Sequence, residues 1–217
     1  MLTRIRIKNF KCLEDVDIEL GEAVVFIGPN NSGKTSALQA LALWSIGVQQ
    51  WIGKKSKQST EKRPGVTLNP RNFIQIPIPE AKLIWHNLHV RDIKREAEGQ
   101  KTNYVFIDIT VDGVTNGVQW SCGLEFYYAN PESFYCRPLR LDGGNKSTKR
   151  MEVPQKQVSK VKIAFLPPMS GLAAVEPKWE PGRINVLIGE GQTAQVLRNV
   201  CYQIFEESPA EKWEELK

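Results

Sequence analysis

From Ala23 to Ser45 the residue types and their spacing suit one kind of chemistry, the holding of a chain of phosphates. Gly28-Pro29-Asn30-Asn31-Ser32-Gly33-Lys34-Thr35 matches G-x-x-x-x-G-K-[ST] at every fixed position. Gly28 and Gly33 let the backbone turn sharply and bring its N–H groups against phosphate oxygens with no Cβ in the way. A helix starting just after the loop adds unpaired N–H donors and partial positive charge. Lys34 supplies a full charge for the β and γ phosphates, and the Thr35 hydroxyl suits Mg²⁺. The expected ATP-binding set is therefore Gly28, Pro29, Asn30, Asn31, Ser32, Gly33, Lys34, Thr35 and Ser36, with Thr35 as the metal ligand.

Such a loop works only between a strand and a helix. Before it, Ala23-Val24-Val25-Phe26-Ile27 is a short apolar run rich in β-branched residues, which predicts a strand buried on both faces. After it, Ala37, Leu38, Leu41, Ala42 and Ser45 recur at helical spacing. Further upstream, Leu2 to Lys11 alternates apolar and polar, as a half-buried strand should, and Val16 to Leu20 alternates again. A chance match in a glycine-containing turn would lack these flanks.

An opening of strand, Asn-Phe-Lys, short loop, two strands and GPNNSGKT resembles the SMC, RecF and OLD-type ATPases. The signatures are Ile7-Lys8-Asn9-Phe10-Lys11 and the phosphate loop itself, so the specific resemblance covers residues 2–47. It implies an α/β P-loop NTPase fold, the N-terminal lobe of an ABC-type head, with an antiparallel β subdomain at its side. It also implies that Lys11 reaches the bound nucleotide; by itself, Lys11 reads as a solvated lysine at a strand end. Two later segments, Ile163 to Leu172 and the helix around Leu197-Arg198-Asn199, look like parts of the OLD-like branch.

The remainder carries weaker signals. Gly53 to Gly65 holds Lys54, Lys55, Lys57, Lys62 and Arg63 against Glu61 alone, which reads as a surface loop that can also meet DNA phosphates. Val105, Ile107, Ile109 and Val111 alternate, Asp112-Gly113 supplies a turn, and Val118 to Tyr128 returns as a second strand. Val158 to Leu166 is expected as a further strand, with Asn145 to Lys162 an exposed loop between. Asp108 ends a stretch that mimics a Walker B strand, but the alternation runs on to Val111 and no Glu follows, so that role is set aside. Leu187 to Gln192 mimics a signature loop at a helix start and is set aside because no strand ending in Asp-Glu comes after it. His86 and His89 stand three apart without a third ligand, and Trp85 reads as packing. Gln155, Gln157 and Gln192 are equal candidates for a glutamine that positions Mg²⁺ and water.

The expected organisation is one ATPase lobe: a nucleotide-binding core over 1–50, a basic and helical insertion over 51–100, an antiparallel β subdomain over 101–170, and the start of a helical subdomain over 171–217. Ser208-Pro209-Ala210-Glu211 reads as a helix start with a capping box, and the sequence ends soon afterwards, which reads as a fragment or a truncated product. The resemblance then assigns the signature loop, the Walker B pair and a switch histidine to a missing C-terminal half. The resemblance-implied partners are a second head in an ATP-bound homodimer, DNA and an associated nuclease. DNA repair and anti-phage defence both fit. A non-catalytic nucleotide-dependent docking module and an ABC transporter subunit are the alternatives; the Asn-Phe-Lys opening disfavours the transporter. A small-molecule kinase ranks last, since no lid pattern follows the loop.

Composition is compatible with this. The net charge of +5 suits a polyanionic partner without demanding one. Cys12, Cys122, Cys136 and Cys201 form no CxxC pair, so reduced thiols and a cytoplasmic setting are expected. No apolar run approaches the roughly 18 residues that span a bilayer, so no membrane partner is expected.

Overall fold

Antiparallel pairing between strands that follow one another in sequence builds most of the molecule. The computed structural model describes residues 1–55, 65–69, 76, 78, 80–96, 99–141, 149–163 and 175–207. They fall into two compact units, one of Met1–Asn72 with Ile78–Phe165, the other of Phe73–Pro77 with Leu166–Lys217.

In the larger unit the strands are β1 (Leu2–Phe10), β2 (Leu13–Glu19), β3 (Val66–Leu68), β4 (Arg91–Glu96), β5 (Gly99–Tyr104), β6 (Phe106–Thr115), β7 (Val118–Asn130) and β8 (Ser133–Pro138). Six form a sheet in the order β2-β1-β6-β7-β8-β3, and β4 pairs with β5 as a separate hairpin. Every ladder is antiparallel. The alternation read in the sequence is the alternation of faces. Ile5, Ile7, Ile107, Ile109, Leu124, Phe126 and Cys136 are buried on one face, and the helix α1 (Lys34–Lys55) lies on it. The Trp44 indole stacks on Trp120 at 6.2 Å and donates its N–H to the Cys122 carbonyl. A Cβ at Gly47 would stand 2.8 Å from Leu124 Cδ1, so that residue sets how closely α1 can approach the sheet.

The opposite face is polar. Arg4 pairs with Asp17, Arg6 with Asp112 and Lys8 with Asp15 across neighbouring strands. Further along, Glu125 is buried and accepts from the guanidinium groups of Arg137, Arg140 and Arg150.

Several expectations need correction. Ala23 to Ile27 is not a strand: Val25 is 79% exposed and Ile27 92% exposed, in a segment without regular structure. A strand needs a ladder partner. The nearest sheet edge, β2, carries Glu14, Asp15, Asp17 and Glu19, and no described strand lies beyond it. The β6–β7 turn is Asn116-Gly117, both at positive φ (52° and 75°), as a two-residue hairpin loop of primed type requires. Asp112-Gly113 lies within β6 instead, where a Cβ on Gly113 would meet the Trp120 ring at 2.4 Å. Val158 closes a one-turn helix, α2 (Gln155–Val158), rather than opening a strand, so the exposed loop expected over 145–162 is partly helical. The span 51–100 contains β3, β4 and β5 besides the end of α1. The basic run beyond Lys55 and the helix start at Ser208 lie outside the described residues.

The smaller unit contains α3 (Pro181–Gly189) and α4 (Leu197–Glu207) around Ile184, Leu187 and Val196. Glu176 accepts from the Arg198 and Asn199 N–H groups at the start of α4, satisfying donors that a helix leaves unpaired. The buried Asn199 amide clamps the same segment, donating to Glu176 and the Pro177 carbonyl and accepting from the Trp179 N–H. Leu187 to Gln192 ends a helix instead of starting one: Gln192 donates to the Leu187 carbonyl and Gly191, at φ 78°, to Ile188, a Schellman cap.

Candidate phosphate-binding site

The loop from Gly28 to Gly33 leads directly into α1, whose first turn contains no acidic residue. The first N–H groups of a helix have no intrahelical acceptor, which leaves donors at the start of α1 for a bound anion. Two positions enforce the loop's shape. Gly33 sits at φ 91°, and a Cβ there would lie 2.6 Å from Leu13 Cδ2 and 3.2 Å from Cys12 Sγ. A Cβ at Gly28 would meet Ser32 Oγ at 3.0 Å. Asn31 takes a positive φ of 66°, which Asn tolerates better than most residues. The Ser32 N–H reaches back to the Pro29 carbonyl and the Ala37 N–H to Gly33.

Lys34 turns its ammonium back over the loop. It donates to the Gly28 carbonyl at 2.8 Å, the Pro29 carbonyl at 2.6 Å and Ser32 Oγ at 3.3 Å. These partners are neutral, so the hydrogen bonds are satisfied while no carboxylate among the described residues pairs with the charge. A loop with a tight glycine cradle, an open helix start and a cation held by neutral partners fits a phosphate chain. Thr35 is exposed one residue on, in a position to offer its hydroxyl to a phosphate-bound Mg²⁺. Ser36 Oγ accepts from Cys12 Sγ at 3.5 Å, tying the loop to the β1–β2 turn.

That turn is also where the Asn-Phe-Lys signature lies. Asn9 and Lys11 both adopt positive φ, 57° and 52°. The Asn9 amide donates to the Phe106 carbonyl, Phe10 is fully buried, and the Lys11 N–H donates to the Ile84 carbonyl. The Lys11 ammonium donates to Gln39 Oε1 on α1 at 2.6 Å, and burial holds its pKa below the usual lysine value. Thus the structure brings Lys11 and Cys12 against the first turns of α1. Gln39 belongs to no recognisable motif, and Cys12 reads in the sequence only as a reduced thiol, so neither is marked there as part of the site.

The remaining candidates lie elsewhere. Asp108 shares the polar face with Glu125, its cross-strand neighbour on β7, while α1 packs on the other face. Gln155 and Gln157 belong to α2 and line a cavity with Gln119 and Trp120. Gln192 belongs to the smaller unit. His86 Nδ1 lies 2.8 Å from the Lys11 carbonyl, His89 pairs with Asp92, and Trp85 is buried with its N–H on the Val105 carbonyl.

Comparison with known proteins agrees with this geometry. Residues 1–64 match the family described as AAA ATPase domain. Over 43 residues the chain is 51% identical to an OLD nuclease from Thermus scotoductus. That match spans 20% of this chain and 8% of the nuclease, so it speaks for one segment of a much longer protein. Among the described residues, no helix is long and apolar enough to cross a membrane. Over residues 1–64 the chain is thus similar to an OLD-like AAA ATPase, a family that implies a nucleotide-binding P-loop.

Proposed function

We propose that this chain is the ATP-binding half of an SMC/RecF/OLD-like head, an ABC-type lobe that couples ATP-driven dimerisation and hydrolysis to DNA transactions in the cytoplasm. The observation that carries the reading is the loop itself: a glycine cradle on the N-terminus of α1, with a lysine that no carboxylate among the described residues pairs with. The loop amides and Lys34 bind the triphosphate, Thr35 and Ser36 add hydroxyls on the Mg²⁺ side, and Lys11 leaves Gln39 to reach the nucleotide. Thr35 would hold Mg²⁺ at this site, and the ion would supply positive charge against the triphosphate.

Hydrolysis also needs a carboxylate or glutamine to orient water. Asp108 is on the sheet face away from α1, which supports assigning that group, and the signature loop, to a C-terminal half of the head. A strand from that half would also cover the exposed run 23–27. A nuclease attached to or associated with the head is the further partner.

The test is ATP binding and turnover by this chain, beside Lys34→Ala, with and without double-stranded DNA. The reading expects Mg²⁺-dependent binding at least about tenfold weaker in the variant, with negligible turnover. Equal binding by the variant would sink the phosphate-site assignment. Robust turnover would sink the division of labour, because the water-orienting group would then lie in this chain.

A further inference from the structure

The sheet face turned away from α1 carries a second surface that ATP binding leaves unused. At one corner the outward residues of β6, β7 and β8 are Phe106, Tyr127 and Tyr135, adjacent in register. Tyr127 and Tyr135 stack at 5.0 Å with an interplanar angle of 21°. Tyr104, 43% exposed at the end of β5, meets Tyr127 at 6.0 Å, and Phe106 meets the same ring at 6.0 Å. Flat cations extend this row. Arg91 lies over Tyr104 at 5.2 Å, and Arg137 lies over Tyr127 at 4.7 Å.

Beneath the rings the charge balance is positive. Arg137, Arg140 and Arg150 face two carboxylates, Glu125 and Asp108, both withdrawn into the sheet. Arg91 is exposed at the start of β4 and lies over the Tyr104 ring, which adds a cation at the edge of the row. Aromatic faces and guanidinium planes in a cationic setting are what unstacked bases and their phosphates recognise.

We propose that this face binds single-stranded nucleic acid, its bases stacking on the ends of the aromatic row at Tyr104 and Tyr135 and its phosphates meeting Arg91. Duplex is excluded from the stacking part because paired bases keep their faces covered. Recognition by stacking is indifferent to sequence, so an oligothymidylate is an adequate probe.

The test uses the whole chain without nucleotide and a fluorescein-labelled oligothymidylate of about 15 nucleotides, followed by anisotropy. The single strand should bind at least about tenfold more tightly than duplex of equal length. Tyr104→Ala with Tyr135→Ala should weaken binding about tenfold or more, and Tyr104→Phe alone, which keeps the ring, should bind as the wild type does. Arg91→Ala should reduce the slope of log affinity against log salt by about 0.7. Since Tyr104 is half exposed, Tyr104→Ala alone gives a variant in which lost binding is separable from lost folding by its melting curve. The proposal is overturned if the wild type binds duplex equally well or binds neither, if the double variant matches the wild type, or if saturating ATP with Mg²⁺ displaces the oligonucleotide. The last result would make the rings part of the nucleotide site. Because no ATP is present in the main arm, a chain that binds the oligonucleotide but not ATP would fail only the proposed ATPase function.

Discussion

Two buried carboxylates face each other across β6 and β7, and their environments set them apart. Glu125 is surrounded by three guanidiniums, whereas Asp108 Oδ1 is buried with no hydrogen-bond partner among the described residues. Burial, and then the nearby Glu125 charge, push the Asp108 pKa up to about 6 from 3.8. A raised acid pKa means the folded state holds its proton more tightly than the unfolded chain does. Stability contributed by that proton is present at low pH and is lost as pH rises through the window from about 3.8 to about 6. Asp108→Asn removes the buried charge, so the variant should be more stable than wild type at pH 7.5 by on the order of 2 kcal/mol, with the gap closing towards pH 4. Urea unfolding at the two pH values measures it; a variant less stable at pH 7.5 would assign Asp108 a partner that the geometry lacks. Glu125→Gln should act oppositely. Neutralising the carboxylate that three arginines share removes their common acceptor, at a cost of about 3–5 kcal/mol by the same urea measurement.

Among the elements, legibility followed how local the deciding interaction is. The β1 and β2 alternation, the loop and α1 were readable because each depends on periodicity or on a motif within its own segment. The β6–β7 hairpin was readable as a pair of strands but not in its turn. Asp112-Gly113 and Asn116-Gly117 are equally good turn dipeptides, and only cross-strand packing distinguishes them. The Trp120 ring occupies the space over Gly113, and the register Thr115↔Val118 puts the reversal at Asn116-Gly117. The two glycines are therefore needed for different reasons, and alanine substitution separates them. Gly117→Ala places a side chain at φ 75° in open space and should cost about 1 kcal/mol. Gly113→Ala forces a methyl into the Trp120 ring and should cost about 1–3 kcal/mol. Equal losses in thermal unfolding would mean that the indole moves aside freely. Lys11 shows the same limit at the site. The motif marks the residue, but its amide partner on α1 and the backbone strain that aims it depend on residues far along the chain.

At the scale of the whole molecule, the run from Ala23 to Ile27 is where the local signal and the structure part. Its composition asks for burial on both faces, yet Val25 and Ile27 stand in solvent because, among the described strands, the sheet ends at acidic β2 and offers no neighbour to it. The sequence could show that the strand wants a partner; it could not show where one is. Hydrogen exchange read by mass spectrometry turns this into an expected pattern. Amides of β1, β6 and β7, central in the ladder, should exchange slowly, while 23–27 should exchange at close to the rate of an unprotected chain. Adding ATP with Mg²⁺ should slow residues 28–36, whose N–H groups then bond to phosphate, and should leave 23–27 fast, since phosphate binding supplies no ladder. Slowing of 23–27 upon nucleotide addition, with a concentration-dependent rise in mass by light scattering, would instead mean that a second copy covers the run. Protection of 23–27 in the free monomer would contradict the exposure on which this argument rests.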